Sequence, residues 1–178
     1  MEIELRLLSV SELRGFSLGN FNRYQETTRV RYVENGQVLH KEDNFVDNWD
    51  GHKKDRIVRG LLDCVRAGGV VVGAFADKNL VGFASIQGRF FGSRQQYLEL
   101  HYLHVSNEVR SRGVGKKLFK FCCTLAKQMG AAKLYIAAHP AEETQQFYQR
   151  MGCILALETN QEILEREPLD IQLEVCLE

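Results

Sequence analysis

Apolar residues along this chain change their spacing near residue 70, and the change separates two kinds of structure. Ile3 to Leu8 alternates like a first strand. From Ser11 to about Leu62 the chain is polar and reads as mostly helical, with breaks at Gly15, Gly19, Asn35-Gly36 and Asp50-Gly51. Ile57, Leu61, Leu62 and Val65 form a helical apolar face that Gly68-Gly69 stops. Val70–Ala76 and Leu80–Ile86 are then short apolar runs parted by Asp77-Lys78-Asn79, a hairpin signal. Tyr97–Val105 carries few charges and reads as a central strand. Leu118, Cys122, Leu125 and Met129 follow helical spacing up to Gly130, and Ala131–Ala138 reads as a buried strand. Ala141–Met151 is a short helix ended by Gly152, and Cys153–Leu157 and Ile171–Leu177 are closing strands. This order predicts an α/β fold, a mixed central sheet of about seven strands with helices on both faces, rather than a strictly alternating doubly wound one.

No Gly/Ser-rich linker or repeat divides the chain, so residues 1–178 read as a single domain. Lys+Arg and Asp+Glu number 23 each, a balance that gives no global pull toward nucleic acid or an anionic membrane. No run approaches the roughly 18 apolar residues of a membrane span. The opening MEIELRLLSV is unlike a secretory signal. The five cysteines lack any C-x-x-C pair. Together these predict reduced thiols and a cytoplasmic location. No His, Cys and carboxylate spacing suits a metal, so none is expected.

The most chemically informative segment is LHVSNEVRSRGVGKKLF, residues 103–119. An apolar strand ends at Val105, a polar turn follows, and Arg110, Gly113 and Gly115 stand in R-x-x-G-x-G spacing before two lysines open a helix. A helix N-terminus has unpaired N–H groups and partial positive charge, and glycines let a phosphate approach the main chain. A strand–turn–helix connection whose glycines serve geometry alone is the competing reading. Two other phosphate loops fail: Arg110 stands where a P-loop needs its first Gly and Lys117 where it needs Ser/Thr, while Leu118 breaks a dinucleotide G-x-G-x-x-G.

This element order, joined to R-x-x-G-x-G after a central strand and to FYQRMGC (Tyr148, Gly152, Cys153) downstream, resembles the GNAT superfamily of acyl-CoA-dependent N-acyltransferases. The resemblance covers residues 55 to 178 well and the N-terminal third only in general character. It implies acetyl-CoA as co-substrate, with the loop Arg110, Ser111, Arg112, Gly113, Val114 and Gly115 wrapping the pyrophosphate through amides from Arg112 to Lys116. Leu103, His104 and Val105 then offer main-chain groups to the pantetheine arm, and the Val105 N–H is the candidate oxyanion donor. Tyr148 is the candidate acid for the departing thiolate, or else a core tyrosine.

Glu99 is the candidate base. By strict alternation it shares a face with His101, Leu103 and Val105, and desolvation is expected to raise its pKa. An exposed carboxylate or a structural ion pair are its alternatives. The same alternation puts His101 and His104 on opposite faces, where packing is the simpler role for each. His139 is a weaker candidate for lining the site. An Asn that many family members carry about seven residues before the Tyr is here Ala141, which leaves Glu142, Glu143 or Thr144 to compensate.

The resemblance therefore implies an N-acetyltransferase acting on a primary amine by direct transfer. A non-catalytic acyl-CoA-binding or regulatory domain is the alternative. The acceptor is a small-molecule or peptide amine that the sequence does not identify. In KEDNFVDNWDGHKKD, Glu42, Asp43, Asp47 and Asp50 around Phe45 and Trp49 form either an acidic, aromatic rim for a cation or a solvated loop. Exposed closing strands leave homodimer formation through a sheet edge open.

Overall fold

A computed structural model describes residues 1–178. Nine strands and five α-helices follow one another as β1 (Glu4–Leu7), α1 (Val10–Arg14), β2 (Tyr24–Glu34), β3 (Gln37–Asn48), α2 (Gly51–Arg66), β4 (Val70–Ala76), β5 (Asn79–Ile86), β6 (Tyr97–Val105), α3 (Val114–Gln128), β7 (Lys133–Ala138), α4 (Glu142–Arg150), β8 (Ile154–Leu155), α5 (Gln161–Arg166) and β9 (Ile171–Cys176). Seven strands form one sheet in the order β1-β4-β5-β6-β7-β9-β8. Every neighbouring pair is antiparallel except β6 with β7.

Alternation along β4 to β6 divides apolar side chains between two cores. Val72, Ala74, Ala84, Ile86, Leu98 and Leu100 pack with Leu118, Phe119 and Cys122 of α3 and with Tyr148 of α4. On the opposite face Val71 and Phe83 pack with Leu13 of α1 and with Ile57 and Leu61 of α2. The expected sheet with helices on both faces is thus observed. No helix is long and apolar enough to cross a membrane.

The stretch expected to be helical before α2 is instead a β-hairpin. β2 and β3 pair from Tyr24↔Asn48 to Glu34↔Gln37. Asn35 and Gly36 both take positive φ (50° and 73°), as a two-residue hairpin turn requires. The ribbon stands apart from the main sheet and leans on the end of β7. The Arg31 N–H donates to the Pro140 carbonyl at 2.8 Å, and Glu142 at the start of α4 holds both Arg31 (2.6 Å) and His40 (2.8 Å). Its final residues wall one side of the cleft described next.

Two features of β6 place that cleft. Its parallel pairing with β7 stops after three residues, Tyr97↔Lys133 to Glu99↔Tyr135. Beyond it β6 continues with β5 as far as Gly82↔Val105, and β7 continues with β9 as far as Ala138↔Ile171. The sheet therefore splits down its middle. At the point of divergence β6 also carries a β-bulge: Tyr102 faces Ser85 and Leu100 faces Ile86, so His101 is an extra residue.

Candidate active site

The split opens a cleft of about 810 Å³. Leu100 to Val105 form one wall and Ile136, Ala137 and His139 the other; the Arg110–Lys116 region, Arg23, Asp47, Trp49 and Asp170 complete the lining. Along β6, alternate N–H groups point to opposite strands. The Ser106 N–H donates to the Val81 carbonyl at 2.9 Å, so the N–H groups of Val105 and Leu103 face away from β5, into the split. The Val105 carbonyl, on that same edge, accepts from Arg110 Nε at 3.3 Å.

At the mouth of the split the chain turns from β6 into α3. Ser111 (φ 62°) and Gly113 (φ 82°) are both left-handed, and Gly113 is the N-cap of α3 without a side-chain cap. The first helical bond runs from the Lys117 N–H to the Gly113 carbonyl at 3.1 Å. The N–H groups from Ser111 to Lys116 donate to no other group of the protein. Such a run of free donors at the head of a helix of 15 residues is an anion cradle. It suits a pyrophosphate, and the open edge of β6 beside it suits an amide-bearing arm.

Gly113 has open space around it, so its positive φ alone selects glycine there. A Cβ on Gly115 would instead meet Phe147 at 3.4 Å and Val105 at 3.6 Å, on the wall of the cleft. Gly113→Val is expected to weaken coenzyme A binding about tenfold or more, roughly 1.4 kcal/mol, by tilting the free N–H groups out of register. Titration calorimetry checks this, with an unchanged far-UV spectrum showing that the variant is folded; unaltered affinity removes the loop from the binding site.

Tyr148 lines the cleft from α4 and is 6% exposed. Its ring packs against Phe147 and Phe119, with centroids 5.0 and 5.9 Å away. Burial pushes its phenol pKa up, so it is protonated throughout the neutral range. Gln145 anchors the same helix, donating to the carbonyls of Ala138 (3.2 Å) and His139 (2.8 Å). Of the residues beside Ala141, Glu142 is taken by Arg31 and His40, while Glu143 and Thr144 line the cleft.

The bulge at His101 corrects the expected faces of β6. Leu103 and Val105 join Leu98 and Leu100 against the α3 core, whereas Tyr102 packs on the α2 side. Glu99 therefore does not share a face with Leu103 and Val105. His101 and His104 are not on opposite faces either, since Tyr102 bridges them with ring centroids 4.2 and 5.8 Å away. Nor is the basicity of Glu99 raised. Burial alone would raise its pKa, but hydrogen bonds and charge from His101 and Arg166 outweigh burial and lower it. Glu99 sits behind the cleft wall, 6% exposed, bonded to Arg166 of α5 and 3.2 Å from His101 Nδ1. His101 is the member of the pair that reaches the cleft.

Two cleft residues, Arg23 and Asp170, escaped the sequence, while others it singled out do reach the cleft. Asp47 Oδ2 lies 3.0 Å from His139 Nε2, and Phe45 packs on the same imidazole at 5.6 Å, so part of the acidic, aromatic segment does reach the site. Asp50 does not; it caps α2 through the Lys53 N–H at 2.8 Å. His104 is held well below the usual imidazole range by burial and then by the charges of Arg23 and Arg110. Asp170, at the entry to β9, has no side-chain partner, and burial, reinforced by Glu167, raises its pKa to about 7. No local pattern marks Arg23 or Asp170, because each acquires its neighbours only through the tertiary fold.

A profile of the acetyltransferase (GNAT) family matches residues 34–153. The chain belongs to the GNAT acetyltransferase family. It is an acyltransferase, and its two family motifs follow the two strands that part, the glycine loop after β6 and FYQRMGC after β7. Comparison with curated protein sequences gives no match. Among solved structures, this GNAT acetyltransferase is similar to nourseothricin acetyltransferase, at 14% identity and TM-score 0.72 over 100% of both chains. It is also similar to a protein from Bacillus anthracis str. Ames described as a streptothricin acetyltransferase and solved with acetyl coenzyme A; identity is 12% and TM-score 0.71, over 100% of this chain and 99% of that one. PaiA N-acetyltransferase from Thermoplasma acidophilum, solved with coenzyme A, aligns at 18% identity and TM-score 0.59 over 99% of each chain. At these identities the likeness is one of fold.

Proposed function

We propose that the protein moves an acetyl group from acetyl-CoA directly to a primary amine held in the cleft. The observation that carries this reading is the run of free N–H groups from Ser111 to Lys116, opening onto an unpaired strand edge with Tyr148 close by. Acetyl-CoA supplies a thioester activated toward amines. The free N–H groups hold its pyrophosphate, with Arg112, Lys116 and Lys117 adding charge, and the edge of β6 holds its pantetheine arm through Leu103 and Val105; His104, expected to share that task, turns its main-chain groups to β5 instead. The Val105 N–H, with that of Leu103 next along the edge, stabilises negative charge on the carbonyl oxygen. Tyr148 gives its proton to the departing sulfur.

Proton removal from the amine falls to His101, which Glu99 orients through Nδ1 so that Nε2 is free to accept. Glu99 is then a positioning residue behind the base. Asp170 offers its carboxylate to the incoming ammonium. The fold neighbours named for nourseothricin and streptothricin acetylation, and the coenzyme A complexes among them, support a polar amine acceptor and this co-substrate.

Direct transfer predicts that acetyl-CoA alone leaves the protein's intact mass unchanged, while a suitable amine triggers release of free thiol. Glu99→Gln is expected to slow that release at neutral pH with unchanged affinity for coenzyme A. A stable acetyl-protein adduct formed without amine overturns direct transfer, and full activity of Glu99→Gln removes the Glu99–His101 pair from the mechanism.

A further inference from the structure

Arg23 lies just before β2, lines the cleft and is only 7% exposed. Its Nε and Nη1 are buried with no hydrogen-bond partner, and no carboxylate stands within ion-pair distance. Asp47 is the one group whose charge favours the Arg23 cation, and its carboxylate is already engaged with His139 at 3.0 Å. The Trp49 ring, 5.6 Å from the guanidinium carbon, gives a cation–π contact but no acceptor for the N–H groups. Burial and the charge of Arg110 both oppose ionisation, yet the pKa falls only to about 10, so Arg23 is charged at neutral pH. A buried guanidinium of this kind is costly unless an anion completes it.

We propose that Arg23 binds a carboxylate of the acceptor, so that the amine acetylated belongs to a free amino acid or a compound built like one. This rests on the acetyltransferase reading of the cleft. Asp170 supplies the complementary half: a carboxyl group in the same cleft with no side-chain partner, not paired with Arg23, which a bound ammonium would hold in its ionised form. The phosphates of the co-substrate are not the natural anion for Arg23. They have their own cradle at the head of α3, whereas Trp49, beside Arg23, packs with the core on the α2 side of the sheet. The anion site and the acyl site are also close. The Trp49 ring that Arg23 overlies is 4.6 Å from the His104 imidazole, and the next residue along β6 is Val105, the oxyanion donor.

The test uses the full-length protein saturated with coenzyme A. Each common amino acid and its amide, which lacks the carboxylate, is titrated by calorimetry. At least one amino acid should bind at least tenfold more tightly than its amide. Arg23→Met should reduce that preference to within twofold while leaving the Kd for coenzyme A within twofold of wild type. Arg23→Lys, which keeps the charge but loses the planar fork, should retain part of the preference. The proposal fails if no amino acid binds, if amides bind as tightly as acids, or if Arg23→Met weakens coenzyme A by as much as it weakens the acid. Carboxylate-selective binding with no thiol release from acetyl-CoA would sink the transferase reading and leave the Arg23 site standing. Thiol release with polyamines alone would do the reverse.

Discussion

Tyr148→Phe is expected to lower kcat by about 10²-fold while changing the affinity for coenzyme A by less than twofold. The size is that of a lost general acid. Two structural facts make the experiment clean. The Tyr148 hydroxyl bonds to no other group of the protein, so removing it leaves no orphaned partner, and its ring packing against Phe119 and Phe147 is unchanged in Phe. The melting temperature should therefore stay close to wild type. A raised phenol pKa also means that the wild-type proton is in place at any pH where the amine can react, so the rate should not fall on the alkaline side until well beyond neutrality. Saturating steady-state kinetics beside calorimetry separate the outcomes. An unchanged kcat returns Tyr148 to the role of a core tyrosine.

Glu174→Ala is expected to produce a large loss of stability, about 2–4 kcal/mol, the cost of leaving the buried Tyr97 hydroxyl and the Leu157 N–H without their acceptor. Glu174 lies on β9 and is 1% exposed. It accepts from Lys133 Nζ at 2.6 Å, from the buried Tyr97 hydroxyl and from the Leu157 N–H at 3.1 Å, so one carboxylate ties β9 to β7, β6 and the segment after β8. At about 2–4 °C per kcal/mol for a chain of this size, the melting temperature should fall by roughly 10 °C. Burial would raise the pKa of Glu174, but its bonds to Lys133, Tyr97 and Leu157 outweigh burial and lower it. A carboxylate held lower in the folded state than in the unfolded one stabilises above its unfolded pKa, and that contribution is lost as pH falls through the folded value. Wild type should thus lose stability on acidification, and the deficit of Glu174→Ala should shrink toward pH 3. Urea melts from pH 7 down to 3 check both statements; a constant deficit across that range contradicts them.

Legibility in the sequence followed how local each signal was. β4 to β7 and the helices between and after them announce themselves, because each buries an apolar stripe whose spacing belongs to its own segment. The β2–β3 ribbon does not. It buries little beyond Thr27 and Val30, so its alternation is lost among exposed charges, and only Asn35-Gly36 betrays the turn. The short helix α5 leaves as little trace in the sequence, since Ile163 is its one buried residue. The phosphate loop was legible because its chemistry resides in main-chain geometry that glycine spacing encodes. The surroundings of Glu99 were not, for two reasons. A bulge shifts the alternation without changing the pattern of residue types, and its partner Arg166 arrives from α5, distant in sequence.

The split between β6 and β7 has a consequence for what the protein can admit. An unpaired strand edge is ordinarily an invitation to any passing chain, and proteins spend charges, prolines and bulges to blunt it. Here the two edges are turned inward, lining a cleft between α4 and the β2–β3 ribbon instead of the outer surface. A slender thread bearing amides and no side chains can be bonded there as a strand would be. The gap in the sheet thus offers its bonds to a backbone-like ligand, and on the function proposed above the co-substrate is the missing strand.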